Sequence, residues 1–378
     1  MKIAFLTSEY PHPKTNSSGG IGTSIKNLAE TLVKLDCKVM VLVYGQDKDE
    51  QFTDNGIVIK KIKNVKFKGL SWWLTAKKIE KTINVLVDEN KIDLVEVPDW
   101  TGISSFINVK CPLVMKLHGS DTYFCHLDKR PVKWWNKFQE KRAYKNATAI
   151  VAVSDFVGKM SNKLFGIERK YVVIPNGINV DKFVSKSIKS ENIILYFGTI
   201  IRKKGVLELP LIFNKVVESN QEVKLVIIGR DTSDIITGSN STWELVQSLF
   251  SEKAKKNVEY KGSISYDNIN EEIEKSAVCV FPSFAEAFPV SWLEAMAMQK
   301  PIVASNIGWA NEMIDNNLNG VLVSPIDHFV FAQKIINLLE NKELQAKMGL
   351  NARMKAEQNF SNLVIAKRNI EFYKKLTV

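Results

Sequence analysis

Apolar residues fall in short solid blocks along this chain. Between the blocks lie longer stretches in which they recur every third or fourth position. Blocks over 2–7, 38–43, 93–97, 113–118, 149–153 and 171–174 predict buried strands. After the first block, Ile21, Ile25, Leu28, Ala29, Leu32 and Val33 keep helical spacing. The second half repeats the arrangement. Strands are predicted over 193–197, 224–228, 258–261, 277–281, 301–304 and 320–323, with helices over 206–217, 243–251 and 269–276. Strands alternating with helices imply an α/β protein with parallel sheets covered on both faces. Strand gives way to turn residues after Ile174-Pro-Asn-Gly-Ile-Asn179, so the junction is placed within 177–190. The expected fold is two tandem Rossmann-like, doubly wound domains facing a cleft at the carboxyl ends of both sheets. The first domain covers 1–180 and the second 190–358. Helical stretches over 327–341, 342–358 and 363–375 close the chain.

A length of 378 residues suits two domains, and 45% hydrophobic residues suffice for two cores. No apolar run approaches the roughly 20 residues of a membrane-spanning helix. The first ten residues turn polar too early for a signal peptide and read as a buried strand. Cys37, Cys111, Cys125 and Cys279 are scattered without metal-ligand spacing, which points to reduced thiols in a cytosolic protein. The net charge of +11 calls for an acidic substrate, nucleic acid or anionic lipid. No nucleic-acid-binding motif is present, and nucleic acid is set aside. A lysine-rich run covers 60–68, and Trp72-Trp73 and Trp134-Trp135 have basic neighbours. Aromatics among lysines suit a membrane interface, here the inner face of the membrane. Alternatively the tryptophans pack inside and the lysines only solvate the surface.

Chemistry concentrates at the predicted strand ends. The richest stretch is Pro282-Ser-Phe-Ala-Glu286-Ala-Phe-Pro-Val-Ser-Trp-Leu-Glu294-Ala-Met-Ala. It reads as the end of a strand, a tight loop and a helix from about Val290, with carboxylates eight positions apart. Unpaired N–H groups at such a helix start suit a phosphate. A carboxylate would repel that phosphate, so each Glu is suited to sugar hydroxyls; together these describe a nucleotide sugar. The plain alternative is a helix with two solvated glutamates. Ser17-Ser-Gly19-Gly20-Ile-Gly22 follows the first strand, and its glycines allow close backbone approach to a ligand. Arg202-Lys203-Lys204-Gly205 clusters three cations where a strand meets a helix, as an anion would require. Leu117-His118-Gly119, Val97-Pro-Asp99-Trp100 and Gly229-Arg230-Asp231 also end strands.

The segment from Pro282 to Ala297 resembles the E-x7-E motif of glycosyltransferase family 4, retaining enzymes of the GT-B fold. Phe281-Pro-Ser283 and Leu293-Glu-Ala-Met-Ala297 match the flanks of that motif. The resemblance spans nearly the whole chain. It implies a transferase that moves a sugar from a nucleoside-diphosphate donor to a saccharide or lipid-linked acceptor. It also implies no bound metal or other cofactor. Residue by residue, Glu286 would hold the donor sugar and Glu294 the ribose, with Lys204 on the diphosphate and His118 near the sugar. Gly20, Gly22, Gly198, Thr199, Gly229 and the amides of Phe288 and Val290 would line the donor. Asp99 would face the acceptor. The last helix, from about residue 359, would cross back onto the first domain.

Two departures stand out. Thr199 occupies the position of the family's arginine, which leaves Arg202 as its substitute. Pro289 stands where the family often has glycine, and it removes one N–H. A nucleotide-sugar epimerase and a non-catalytic nucleotide-sugar-binding protein are the rival readings. Product formation from donor alone separates the epimerase from the transferase.

Overall fold

The structure, a computed structural model, describes residues 1–15, 18–184 and 191–377, with the side chains of Tyr266 and Asp267 excepted. The chain divides into two compact units, Met1–Gly177 with Asn362–Val378, and Ile178–Ser361. The expected junction at 177–190 thus resolves to a break after Gly177, while 185–190 lie outside the described residues.

The first unit runs β1 (Lys2–Thr7), α1 (Gly20–Lys34), β2 (Lys38–Gln46), β3 (Glu50–Asp54), β4 (Ile57–Lys63), α2 (Ser71–Asp88) and β5 (Leu94–Pro98). A short 3-10 segment, Trp100–Phe106, leads to β6 (Leu113–Leu117), α3 (Asp121–Leu127), α4 (Trp134–Asn146), β7 (Ala149–Ala152), α5 (Asp155–Phe165) and β8 (Val172–Val173). The sheet order is β3-β4-β2-β1-β5-β6-β7-β8, parallel except that β3 pairs antiparallel with β4. Strands β1, β5 and β6 are buried almost throughout, as a parallel sheet between helix layers requires.

The β3–β4 hairpin is a finding that the sequence reading did not contain. Part of the lysine-rich run lies in β4, where Lys61 is buried and its Nζ lies 2.8 Å from Asp47 Oδ1. Those lysines belong to an amphipathic strand, which alternates faces and so lacks the solid apolar block of its neighbours.

The second unit runs β9 (Ile193–Phe197), a 3-10 turn at Arg202–Lys204, α6 (Glu208–Ser219), β10 (Lys224–Ile228), α7 (Thr242–Ser248), α8 (Glu252–Lys255), β11 (Val258–Tyr260) and α9 (Tyr266–Lys275). It continues with β12 (Val278–Phe281), α10 (Val290–Ala297), β13 (Ile302–Ser305), α11 (Ala310–Met313), β14 (Val321–Val323), α12 (His328–Glu340) and α13 (Lys342–Lys355). Its sheet, β11-β10-β9-β12-β13-β14, is wholly parallel. The helix expected over 243–251 is α7, which ends at Ser248, and a further short helix, α8, follows it. Ser251 caps the second by accepting the Ala254 N–H, and the chain turns between them.

The last helix, α14 (Asn362–Lys374), belongs to the first unit. Its Ile365, Ala366 and Tyr373 share one core with Ile25, Leu28 and Leu32 of α1 and with Ile3 and Phe5 of β1. The Tyr373 hydroxyl also donates to the buried carboxylate of Glu96 on β5. An apolar stripe and one buried polar contact thus hold a helix that is nearly 200 residues away in sequence from the end of the first unit's sheet.

Both sheets have a point where the order of strands reverses. In the first unit it lies between β1 and β5, in the second between β9 and β12. Loops leaving the carboxyl ends of such strands diverge to opposite faces and leave a crevice suited to ligands.

Candidate functional site

In the second unit the loops after β9 and β12 flank the reversal point, and they carry the residues singled out by sequence. The turn at Arg202–Lys204 ends at Gly205, which has a left-handed φ of 68°. A Cβ there would lie 1.8 Å from the carbonyl oxygen of Pro282. Only glycine lets the first loop press so closely on the end of β12. The Lys203 carbonyl accepts N–H bonds from Phe284 (2.9 Å) and Ala285 (3.1 Å), which zips the two loops together. Lys204 Nζ consequently reaches Glu286 Oε1 at 2.6 Å, across 82 positions of sequence.

Arg202 is placed differently from the sequence reading. Its Nε and Nη2 each lie 2.8 Å from the carboxylate of Asp234, a fork geometry that occupies one edge of the planar guanidinium. Asp234 also accepts from the N–H and hydroxyl of Thr237. The Arg202 guanidinium, then these Thr237 bonds, hold the Asp234 carboxyl well below its ordinary range. Arg202 therefore fastens the β9 loop to the loop after β10, and Lys204 is the cation that meets Glu286.

Gly198 and Gly229 end β9 and β10 side by side. A Cβ on Gly229 would fall 1.8 Å from Gly198 O, so close backbone packing explains this glycine before any ligand does. Thr199 accepts the Tyr196 hydroxyl on its carbonyl at 3.2 Å. Pro289 precedes α10, as its fixed φ allows, and Val290 opens the helix. Phe288 is buried and packs edge-on to Phe360, so only its backbone faces the loop. Glu294 lies on α10 and is buried, which excludes the reading of a solvated helix glutamate. Trp292 beside it stacks on Phe281 and meets Trp309, so aromatic packing fixes the orientation of α10.

In the first unit, β1 is followed by the glycine loop and α1. Ser17 lies outside the described residues. Gly20 has open space around it, whereas a Cβ on Gly22 would lie 2.9 Å from Glu9 O. The Gly22 N–H donates to Glu9 Oε1 at 2.8 Å. The start of α1 thus already carries an anion, the Glu9 carboxylate, which the sequence reading missed. Its position two residues past the β1 strand was the available signal.

Asp99 and His118 come together at the ends of β5 and β6. The backbone N–H of His118 donates to Asp99 Oδ1 at 2.9 Å, while Oδ2 is buried with no hydrogen-bond partner among the described residues. Burial raises the Asp99 pKa to about 7 against this bond, and the nearby Glu140 carboxylate adds to the rise. Burial and the Lys116 ammonium lower the His118 pKa to about 3, so its imidazole is neutral at neutral pH. A neutral imidazole can give or take one hydrogen bond at a sugar hydroxyl without adding charge.

Among the described residues no three His, Cys, Asp or Glu side chains converge on a point that could hold a metal ion. No helix among them is long and apolar enough to cross a membrane. All four cysteines are unpaired, and Cys37, Cys125 and Cys279 are buried.

Comparison with known proteins agrees with this arrangement. The profile described as Glycosyltransferase Family 4 matches residues 18–182, and that described as Glycosyl transferases group 1 matches 178–355. Together they take in nearly the whole chain, which belongs to glycosyltransferase family 4 and is a group 1 glycosyltransferase. An uncharacterized glycosyltransferase of Methanocaldococcus jannaschii is 23% identical over 93% of this chain and 92% of its own length. The capsular polysaccharide biosynthesis glycosyltransferase CapM of Staphylococcus aureus is 30% identical over 60% of this chain and 61% of its own. Among solved structures, Anabaena HepE in complex with UDP-glucose superposes over 100% of both chains with a TM-score of 0.76 and 20% identity. The sucrose-phosphate synthase of Thermosynechococcus elongatus covers 100% of this chain and 99% of its own, with a TM-score of 0.77 and 19% identity. These likenesses place the fold among the GT-B glycosyltransferases.

Proposed function

We propose that this glycosyltransferase moves a hexosyl group, with retention at the anomeric carbon, from a nucleoside-diphosphate sugar to an acceptor hydroxyl. The acceptor is a saccharide or lipid-linked saccharide in cell-envelope polysaccharide or glycolipid synthesis. The observation that carries the reading is the Lys204–Glu286 pair on the two loops at the reversal point of the second sheet. A cation there would stabilise the diphosphate as the glycosyl bond breaks and negative charge collects on the leaving oxygen. Glu286, released from Lys204 by the incoming phosphate, would accept hydrogen bonds from the sugar hydroxyls. Glu294, buried on α10, would take those of the ribose.

The relatives support the direction of the reading. HepE was solved with UDP-glucose, and CapM acts in capsular polysaccharide biosynthesis. A Campylobacter jejuni relative transfers N-acetylgalactosamine to a diphospho-undecaprenol-linked sugar. Attack on the same face as the departing phosphate, with that phosphate taking the acceptor's proton, balances the step and retains configuration. The acceptor oxygen–carbon bond forms, the carbon–phosphate oxygen bond breaks, and the proton ends on the diphosphate. No metal or further cofactor takes part, because Lys204 and loop amides supply the electrostatic stabilisation.

The test is transfer from labelled nucleotide sugars to envelope lipid and saccharide extracts, with NMR of the new linkage. An α-linked donor should give an α-linked product. A β-linked product would overturn retention, and a changed sugar without any acceptor would favour the epimerase.

A further inference from the structure

Helix α4 is inverted relative to an ordinary surface helix, which buries an apolar stripe and exposes a polar one. Its buried residues are Gln139, Glu140, Ala143 and Tyr144. Glu140 accepts hydrogen bonds from the N–H groups of Asp121 (2.9 Å) and Thr122 (3.0 Å) and from the Thr122 hydroxyl (2.6 Å), at the start of α3. The 3-10 segment packs so tightly beneath α4 that a Cβ on Gly102 would lie 2.6 Å from the Gln139 carbonyl carbon. The inner face thus sets two hydrogen-bonded polar side chains, Gln139 and Glu140, beside Ala143 and Tyr144, and it is full.

The outer face carries Trp134, Trp135 and Phe138, which are 75%, 42% and 45% exposed. The rings contact one another in sequence, with centroids 5.4 and 5.6 Å apart. Around them Lys133, Lys137, Lys141, Arg142 and Lys145 are exposed, and the single acidic residue within this stretch is the buried Glu140. Every exposed charge from Lys133 to Lys145 is positive. The other tryptophan pair is unlike this one, because Trp72 is half-buried and meets Phe106 edge-on.

We propose that the outer face of α4 seats the protein on an anionic lipid bilayer. The three rings lie at headgroup level and the cations lie over the lipid phosphates. A soluble polyanion would need the cations but not a mostly exposed tryptophan. An uncharged protein partner would need the rings but not an unbroken field of one sign. The headgroup region of an anionic bilayer uses both. Each basic side chain near such a surface raises partitioning by about fivefold, and added salt weakens the effect. Vesicle binding is measured without donor or acceptor, so its outcome is separate from that of the transfer reaction.

The experiment is co-sedimentation of the full chain with phosphatidylcholine vesicles with and without phosphatidylglycerol, at low and high salt. Binding is expected only to the anionic vesicles and should fall with salt. A Lys133→Glu, Lys137→Glu, Lys141→Glu variant should lose it by about a hundredfold. Trp134→Ala should lower it by at least about fivefold at unchanged melting temperature, because that ring is mostly exposed. No binding of the unmodified chain to anionic vesicles at low salt would overturn the proposal whatever the variants do. Binding that survives both sets of substitutions would overturn it too. Capture by soluble heparin without capture by vesicles would assign the face to a soluble polyanion and equally overturn the bilayer reading.

Discussion

Arg202 and Lys204 stand two residues apart on one turn, yet their replacement by alanine should do opposite things. Arg202→Ala strands the Asp234 carboxylate, whose side chain is 1% exposed, without its guanidinium. Breaking a buried pair costs about 3–5 kcal/mol. The guanidinium itself is 34% exposed, and water screens part of that cost, leaving about 2 kcal/mol. For a unit of this size the melting temperature should fall by about 4–8 °C. Lys204→Ala removes a partly exposed pair with Glu286 and should cost about 1 kcal/mol or less. It should nevertheless slow turnover by about a hundredfold or more, the usual effect of losing one group that stabilises transition-state charge. Differential scanning calorimetry and steady-state transfer rates on the two variants provide the comparison. A stable but inactive Arg202→Ala together with an active Lys204→Ala would refute the assignment of Lys204 to the diphosphate.

Asp99→Asn should stabilise the protein increasingly at high pH. A carboxyl with a folded pKa near 7 binds more protons folded than unfolded above its ordinary 3.8, so its share of stability is full at low pH and is lost as pH rises through 7. The stability gap between variant and parent should therefore widen by up to about 1.4 kcal/mol per pH unit in urea titrations from pH 4 to pH 7, and a flat gap would contradict the buried environment of Asp99. Gly205→Ala should cost at least about 2 kcal/mol, because the left-handed turn and the Pro282 carbonyl leave no room for a Cβ, and an unchanged urea midpoint would contradict that packing. Transfer should keep most of its rate after exhaustive chelation; loss with recovery on adding manganese or magnesium would contradict metal independence.

The sheets were legible because parallel strands buried on both faces are written as solid apolar blocks. Those over β1, β6, β9 and β12 could be marked nearly to the residue. The β3–β4 hairpin was not legible, because β4 alternates and carries Lys60, Lys61 and Lys63, so it reads as a charged run. Motif spacing located Lys204, Glu286 and Glu294, but it could not pair Lys204 with Glu286 or reveal that Asp234 already engages Arg202. Those pairings depend on loops from different strands meeting, and a local window does not contain both. Glu9 at the start of α1 was missed because its partner Gly22 lies 13 positions on, at the far end of the same loop. The inversion of α4 escaped the periodicity reading because its aromatics keep helical spacing whichever side they face.

The central claim is that the second unit binds a nucleoside diphosphate through Lys204 on the turn after β9 and Glu294 on α10. Isothermal titration of the protein with nucleoside diphosphates, UDP first, tests it most directly. At least one should bind, and Glu294→Ala should weaken binding by roughly 1.5–3 kcal/mol, the loss of hydrogen bonds to a charged acceptor. Lys204→Ala should weaken it further in a salt-dependent way. Failure of every nucleoside diphosphate to bind the unmodified protein, or affinity untouched by either substitution, would contradict the account.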